Sequence, residues 1–328
     1  MMLPRFALLC LGAAMTLPAN AFGQSPADHY ESGPVLPQAI DSQTQTDSLA
    51  FGSDATDRMT VPVRLGGAGP YNFLVDTGSE RTVISRQLAN RLGLQPGRTA
   101  RLHSIVGAGP VNTAIIPRLS LSRRQVGAIE APMLDAANMG ADGMLGVDSL
   151  KSQSVLFDFK AQTMSITPAS NRAESLGDGT IVVKARNRRG RLILTDATAD
   201  AKRLTVILDT GSQVTIGNPA LRKRLIGRKM LDPSQTVTVQ SVTGHTIVGD
   251  YMILKKLEIG GVVMSNLAII FADAHTFRQL GLDKTPALLL GMNAMRAFDR
   301  MSIDFANKRL RVILPKESRA DGVQLAAK

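Results

Sequence analysis

The tetrapeptide Asp-Thr-Gly-Ser occurs twice in this chain of 328 residues, as Asp76-Thr77-Gly78-Ser79 and as Asp209-Thr210-Gly211-Ser212. Each copy follows an apolar run, Phe73-Leu74-Val75 in the first and Val206-Ile207-Leu208 in the second, which is the pattern of a strand running into a turn. One copy alone would read as a turn closing a strand, because all four residue types are good turn formers. Sliding the sequence against itself gives the pair more meaning. At an offset of 133 the tetrapeptides superpose and so do Thr82-Val83 with Thr215-Ile216, Leu88 with Leu221, and Arg91-Leu92 with Arg224-Leu225. At 137, Ser104-Ile105-Val106-Gly107 meets Ser241-Val242-Thr243-Gly244. Near 145, Leu145-Gly146 meets Leu290-Gly291, and one step later Phe157-Asp158-Phe159 meets Ile303-Asp304-Phe305. Blocks that keep their order while the spacing grows describe a duplicated unit with loop insertions.

Most segments inside the repeat are short, rich in branched residues and bounded by Gly, Pro or Asp, so strands are expected over 60–65, 71–75, 181–185, 191–195, 205–208, 236–242 and 309–314. Short helices are expected over 86–92 and 219–225, the latter with Asn218 as its cap and Pro219 in its first position. Two more are expected after the late glycines, over 148–151 and 293–298. The fold class is therefore mainly β, in two homologous lobes over 58–169 and 177–315 related by a pseudo-twofold axis, with a few short helices. A tail occupies 316–328.

Residues 1–23 have the form of a signal peptide: Arg5, an apolar stretch from Phe6 to Leu17, then small residues at Ala19, Ala21 and Gly23. No later uncharged run approaches the roughly 20 residues of a membrane helix. The expected product is exported and periplasmic, with secretion as the alternative, and has no transmembrane segment. The one cysteine, Cys10, lies inside that leader, which excludes a thiol nucleophile and a cysteine metal cage from the mature chain. Residues 24–57 are rich in Ser, Gln, Asp, Pro and Thr and read as a flexible tether, with a pro-segment covering a cleft as the other reading. A formal net charge of +11 favours peripheral attraction to anionic surfaces.

Two aspartates brought together from the two lobes have a definite chemistry. Like charges a few ångströms apart do not both ionise, so the pair holds one shared proton and serves as base and acid in turn towards a water molecule. Asp76 and Asp209 are the expected catalytic pair. Thr77 and Thr210 are placed to bond across to the opposite loop, Gly78 and Gly211 to let the backbone approach closely, and Ser79 and Ser212 to donate to the carboxylates. Glu80-Arg81 follows the first copy only and adds charge near Asp76.

With these residues in place, the chain resembles the retropepsin-like and pepsin-like aspartic peptidases over about residues 58–315, and is most similar to exported bacterial retropepsin-like proteins with two repeats. Met144-Leu145-Gly146 and Leu289-Leu290-Gly291 match the element that in the family packs beneath the catalytic loop. The resemblance implies an aspartic endopeptidase acting on protein or peptide without cofactor or metal, in limited proteolysis of envelope proteins. It also implies that one chain forms both halves of the site as a monomeric pseudodimer. The family covers its cleft with β-hairpin flaps, and the aligned segments containing Gly107 and Gly109, and Gly244 and His245, are the candidates. A pepsin-type flap tyrosine has no clear equivalent among Tyr30, Tyr71 and Tyr251.

Competing chemistries find less support. His29, His103, His245 and His275 form no His-Glu-x-x-His helix, there is no Gly-x-Ser-x-Gly elbow, and the absence of tryptophan removes a common sugar-stacking residue. The basic stretches Arg186-Asn187-Arg188-Arg189-Gly190-Arg191 and Arg222-Lys223-Arg224 read as a solvated loop and helix face, and export with few aromatics argues against nucleic acid. The rival from another class is a catalytically silent peptide-binding or scaffold protein on the same fold.

Overall fold

In a computed structural model, the described residues are 47–50, 52–53, 58–121, 124–151, 153–169, 180–199, 201–226, 235–315 and 324–326. The leader expected over 1–23 lies outside them. The architecture is mainly β, with five short α-helices among the described residues. Alternation dictates the outer strands: in Met59–Leu65, Met59, Val61, Val63 and Leu65 are buried while Pro62 and Arg64 face out. The inner strands Gly143–Leu145 and Ala287–Leu290 are buried along their whole length, as sheet centres flanked on both sides are.

Each lobe repeats one topology. In the first, Gly143–Leu145 lies parallel to the end of Ala68–Val75 and antiparallel to Val83–Ser85. In the second, Ala287–Leu290 lies parallel to Lys202–Leu208 and antiparallel to Thr215–Gly217. The strand carrying each apolar-apolar-Gly element is therefore the immediate neighbour of the strand leading to each aspartate.

The lobes are joined by a shared sheet. Gln153–Asp158 of the first lobe pairs antiparallel with Arg300–Asp304 of the second, in the register Val155↔Ile303, Leu156↔Ser302 and Phe157↔Met301. Shifting the first residue of the outer pairs by the repeat offset exchanges them, so the pseudo-twofold axis passes through the pair Leu156–Ser302. The same apolar repeat that aligned Phe157 with Ile303 in sequence thus places both in the interface, fully buried.

Helix Pro219–Ile226 begins as its sequence dictates. Asn218 Oδ1 accepts from the Leu221 backbone N–H at 2.8 Å, and Pro219 occupies a position where no amide hydrogen is needed. Leu221 and Leu225, one turn apart, are its buried face. The short helix expected over 148–151 is a 3-10 turn, Val147–Ser149, and the one expected over 293–298 spans Met292–Met295.

Two termini differ from expectation. The end of the segment read as a flexible tether contributes strands: Asp47–Ala50 pairs with the strand Thr163–Pro168 and Gly52–Ser53 with Met59–Leu65. Within the tail, Gln324–Ala326 lies parallel to Val263–Ser265. Asp47–Ala50 extends a sheet edge and the other two pair with stretches of strand left uncovered on one side, which offer unpaired backbone groups to any adjacent segment regardless of its polarity. Composition alone does not reveal that opportunity.

Candidate active site

Asp76 and Asp209 each sit one residue past the end of their strand, and each backbone N–H is held by the neighbouring strand. Asp76 N donates to Leu145 O at 2.9 Å, and Asp209 N to Leu290 O at 3.1 Å. The two turns interlock. Thr77 N donates to Thr210 Oγ1 at 3.0 Å and Thr210 N to Thr77 Oγ1 at 3.1 Å. The same hydroxyls donate onward, Thr77 to Leu208 O at 3.2 Å and Thr210 to Val75 O at 2.7 Å. Four hydrogen bonds thus cross between the lobes at this point, all buried. Each glycine N–H turns back onto its own aspartate: Gly78 to Asp76 Oδ1 at 2.8 Å, Gly211 to Asp209 Oδ1 at 3.1 Å.

The glycines lie against the opposite carboxylates. A Cβ placed on Gly78 would fall 2.6 Å from the Asp209 carboxyl carbon, and one on Gly211 would fall 2.4 Å from that of Asp76. No side chain fits there, so glycine is the residue that lets the carboxylates meet across the axis. Ser79 and Ser212 act differently from expectation. Their hydroxyls donate to the carbonyls of Arg81 and Val214, at 2.7 and 2.6 Å. A hydroxyl has one proton to give, and here it closes the turn after each tetrapeptide and not a bond to the carboxylate.

Asp76 is wholly buried and its carboxyl is held well above the ordinary range, first by burial and then by the Asp209 charge, against the opposing pull of the Gly78 N–H, Arg191 and Arg58. Its Oδ2 is buried and takes no hydrogen bond from the described residues. Among these groups the direction is set by desolvation, as expected where an acid is removed from water beside a like charge.

Two residues of the site were missed from the sequence. Arg191, read as part of a solvated basic loop, is fully buried; its Nε donates to Gly78 O at 2.7 Å and its Nη1 lies 3.8 Å from Glu80 Oε1. Arg58, also buried, donates to Met139 O. The two are one repeat offset apart, so the alignment that paired the tetrapeptides also pairs these arginines; that signal was available. Glu80 is itself pushed up, by burial first, with Arg191, Arg81 and Arg189 opposing. The later glycine elements lead to a further matched pair: Asp148 Oδ1 accepts from Thr82 N and Oγ1, and Asn293 Oδ1 from Thr215 N and Oγ1, at 2.8–2.9 Å. Burial raises the Asp148 carboxyl, and the neutral amide in the other lobe does the same structural work.

Both segments expected as flaps form hairpins. Ala100–His103 pairs with Ala108–Val111, and Gln235–Gln240 with the start of Thr246–Ile259. Gly107 lies in the first tip, Gly109 on its returning strand, and Gly244 turns the second tip with φ of 83°. His245 is exposed and bonds to Thr243 Oγ1 at 3.0 Å. The tips are exchanged: Ile105 is buried in the second lobe's apolar cluster with Ile216, Val239 and Phe277, while Val242 is buried in the first lobe's cluster with Leu74, Leu102 and Met144. Beside them runs a groove of about 850 Å³ lined by both hairpins, including Gly107, Gly109 and His245, and by Met133, Asp135 and Asn138.

No helix among the described residues is long and apolar enough to cross a membrane. A search of curated proteins gives no match. A family model described as aspartyl protease matches residues 61–149 and 195–294, taking in one Asp-Thr-Gly-Ser turn, one hairpin and one late glycine element in each region. Two matched regions that meet at a reciprocal pair of aspartates are one protease unit in duplicate, and the chain belongs to the aspartyl protease family.

Proposed function

We propose that the chain is an exported aspartic endopeptidase that hydrolyses peptide bonds with a water activated between Asp76 and Asp209, in limited proteolysis of envelope proteins. The observation that carries this reading is that the reciprocal threonine bonds hold the two turns with each aspartate carboxyl against the opposite glycine. Asp76, held protonated by burial and by its partner's charge, donates to the carbonyl oxygen of the scissile bond. Asp209, ionised, takes a proton from the attacking water, whose oxygen bonds to the carbonyl carbon. The tetrahedral diol then collapses: the C–N bond breaks as the proton on Asp209 passes to the leaving nitrogen, a diol hydroxyl returns its proton to Asp76 as the new carbonyl forms, and no bond to the enzyme forms. Thr77, Thr210, Gly78 and Gly211 fix the geometry, while Ser79 and Ser212 brace the turns. The two hairpins act as flaps, with Gly107, Gly109, Gly244 and His245 contacting peptide in the groove.

The lobes are assigned to 58–169 and 177–315, and the working form to a monomer, because one chain supplies both aspartates. The leader-like composition of 1–23 supports export to the periplasm, with secretion as the alternative. One observation favours the peptide-binding reading as well: neither catalytic aspartate lines the groove, and the exposures of the two are 0% and 2%. Cleavage therefore requires the flaps to lift.

The test is a mixed peptide library incubated with the wild-type protein from pH 4 to 7, with products identified by mass spectrometry. Cleavage is expected, falling as pH rises through the raised titration of Asp76, since the pair then loses its shared proton. Binding without cleavage across the whole range would favour the scaffold reading.

A further inference from the structure

His103 and His275 meet across the two lobes, in a place the chemistry above does not use. His103 ends the flap strand Ala100–His103, and His275 opens the second-lobe helix His275–Gln279. Nδ1 of His103 stands 2.9 Å from Nε2 of His275, the rings stack with centroids 5.2 Å apart, and the backbone N–H of His275 donates to Ile105 O at 2.7 Å. These contacts hold the flap whose tip, Ile105, is buried in the second lobe.

We infer that His103 and His275 form an interlobe clasp that positions the first-lobe flap over the paired aspartates at neutral pH and releases it in mild acid, so that protons gate entry of peptide. The bond between the rings needs one N–H and one lone pair, and a doubly protonated pair has two donors and no acceptor. A first proton is also poorly received. The His103 Nε2 is buried without a hydrogen-bond partner among the described residues, so an added N–H there has nothing to donate to. The surrounding charge is mostly positive: Arg101 on the flap strand, Arg189 and Arg191 at the turn between the strands Ile181–Arg188 and Arg191–Ala199, and Arg278 on the helix. The nearby acids are engaged elsewhere, Glu80 with Arg191 and Asp273 with Arg278. Consistently, both imidazoles are held below their usual range, by burial first and then by each other and these arginines for His103, and by burial and then Arg278 for His275. The closed flap therefore binds fewer protons than the open one, and it loses stability as pH falls below the ordinary imidazole value of about 6.5.

The inference extends the peptidase reading of the same site, but its test does not depend on cleavage. Hydrogen exchange of the His275 amide, corrected for the intrinsic pH dependence of exchange, is followed in the full chain from pH 7.5 to 5.5. Protection is expected to fall about tenfold or more in the wild type. His275→Phe keeps a ring but no nitrogen, and is expected to show low protection with no pH dependence between those limits. Wild-type protection that does not change with pH, or a variant that keeps the wild-type profile, would overturn the clasp. Should the variant fail to fold, NMR titration of the wild-type imidazoles decides: midpoints below about 6.5 support the clasp, and midpoints at or above it contradict it. Failure to cleave any peptide would remove the peptidase reading and leave the exchange result interpretable.

Discussion

Asp76→Asn and Asp209→Asn are each expected to lower kcat/KM for peptide cleavage by about 10³-fold or more while leaving the fold intact. Asparagine has the size of aspartate, so the Gly78 and Gly211 amides keep an oxygen to donate to and the opposite glycine keeps its neighbour. The amide neither carries a transferable proton nor accepts one from water. Loss of either carboxylate therefore removes the acid or the base and leaves no residue to replace it. Stability is expected to move the other way for Asp76→Asn. A carboxyl whose titration is raised in the folded state loses stability as pH climbs from the ordinary carboxylate range, about 4, through the raised value. Asparagine has no such ionisation, so the variant should match or exceed the wild type in chemical denaturation at pH 7. Unchanged cleavage in either variant would remove these residues from the chemistry.

Thr77→Val is expected to have the largest effect on folding. Its hydroxyl both donates to Leu208 O and accepts from Thr210 N, and neither of these backbone groups has access to water. Replacing the hydroxyl by a methyl leaves one buried donor and one buried acceptor unpaired, at about 1–3 kcal/mol each. Against a total stability of about 5–15 kcal/mol that is a large fraction, and cleavage should fall with it because the two turns lose their common brace. Thr77→Ser keeps the hydroxyl and should lose about 1 kcal/mol from the missing methyl. Urea denaturation of both variants distinguishes the bond from the packing: equal losses in Val and Ser would mean that the methyl group matters and the hydrogen bonds do not.

The parts of the molecule that were legible in the sequence are those governed by local pattern. Alternation marked Met59–Leu65, Asn218-Pro219 marked a helix start, and the doubled tetrapeptide marked both the turns and the fold class. The repeat offset was informative beyond its first use, since the central pair of the interlobe strands, Leu156↔Ser302, is itself an aligned pair. What was not legible depends on partners distant in sequence. Arg191 stands in a run of basic residues whose other arginines are exposed, and its burial is decided by Gly78 and Glu80 more than a hundred positions earlier. The serines looked like carboxylate donors because they follow the aspartates. The curvature of each turn instead points their hydroxyls at the carbonyls of Arg81 and Val214. His103 and His275, 172 positions apart, show no spacing that suggests contact.

The central claim is that one chain assembles a complete site from its two lobes, and the most direct measurement is peptide cleavage by an equimolar mixture of the Asp76→Asn and Asp209→Asn proteins beside the wild type. All four threonine bonds run within one chain, so each mutant molecule retains only half of the pair. The wild type should cleave with a specific activity independent of its concentration, and the mixture should remain as inactive as its components. Activity regained on mixing would show that the aspartates pair between chains, and an inactive wild type would show that the pair, although assembled, does not cleave peptides.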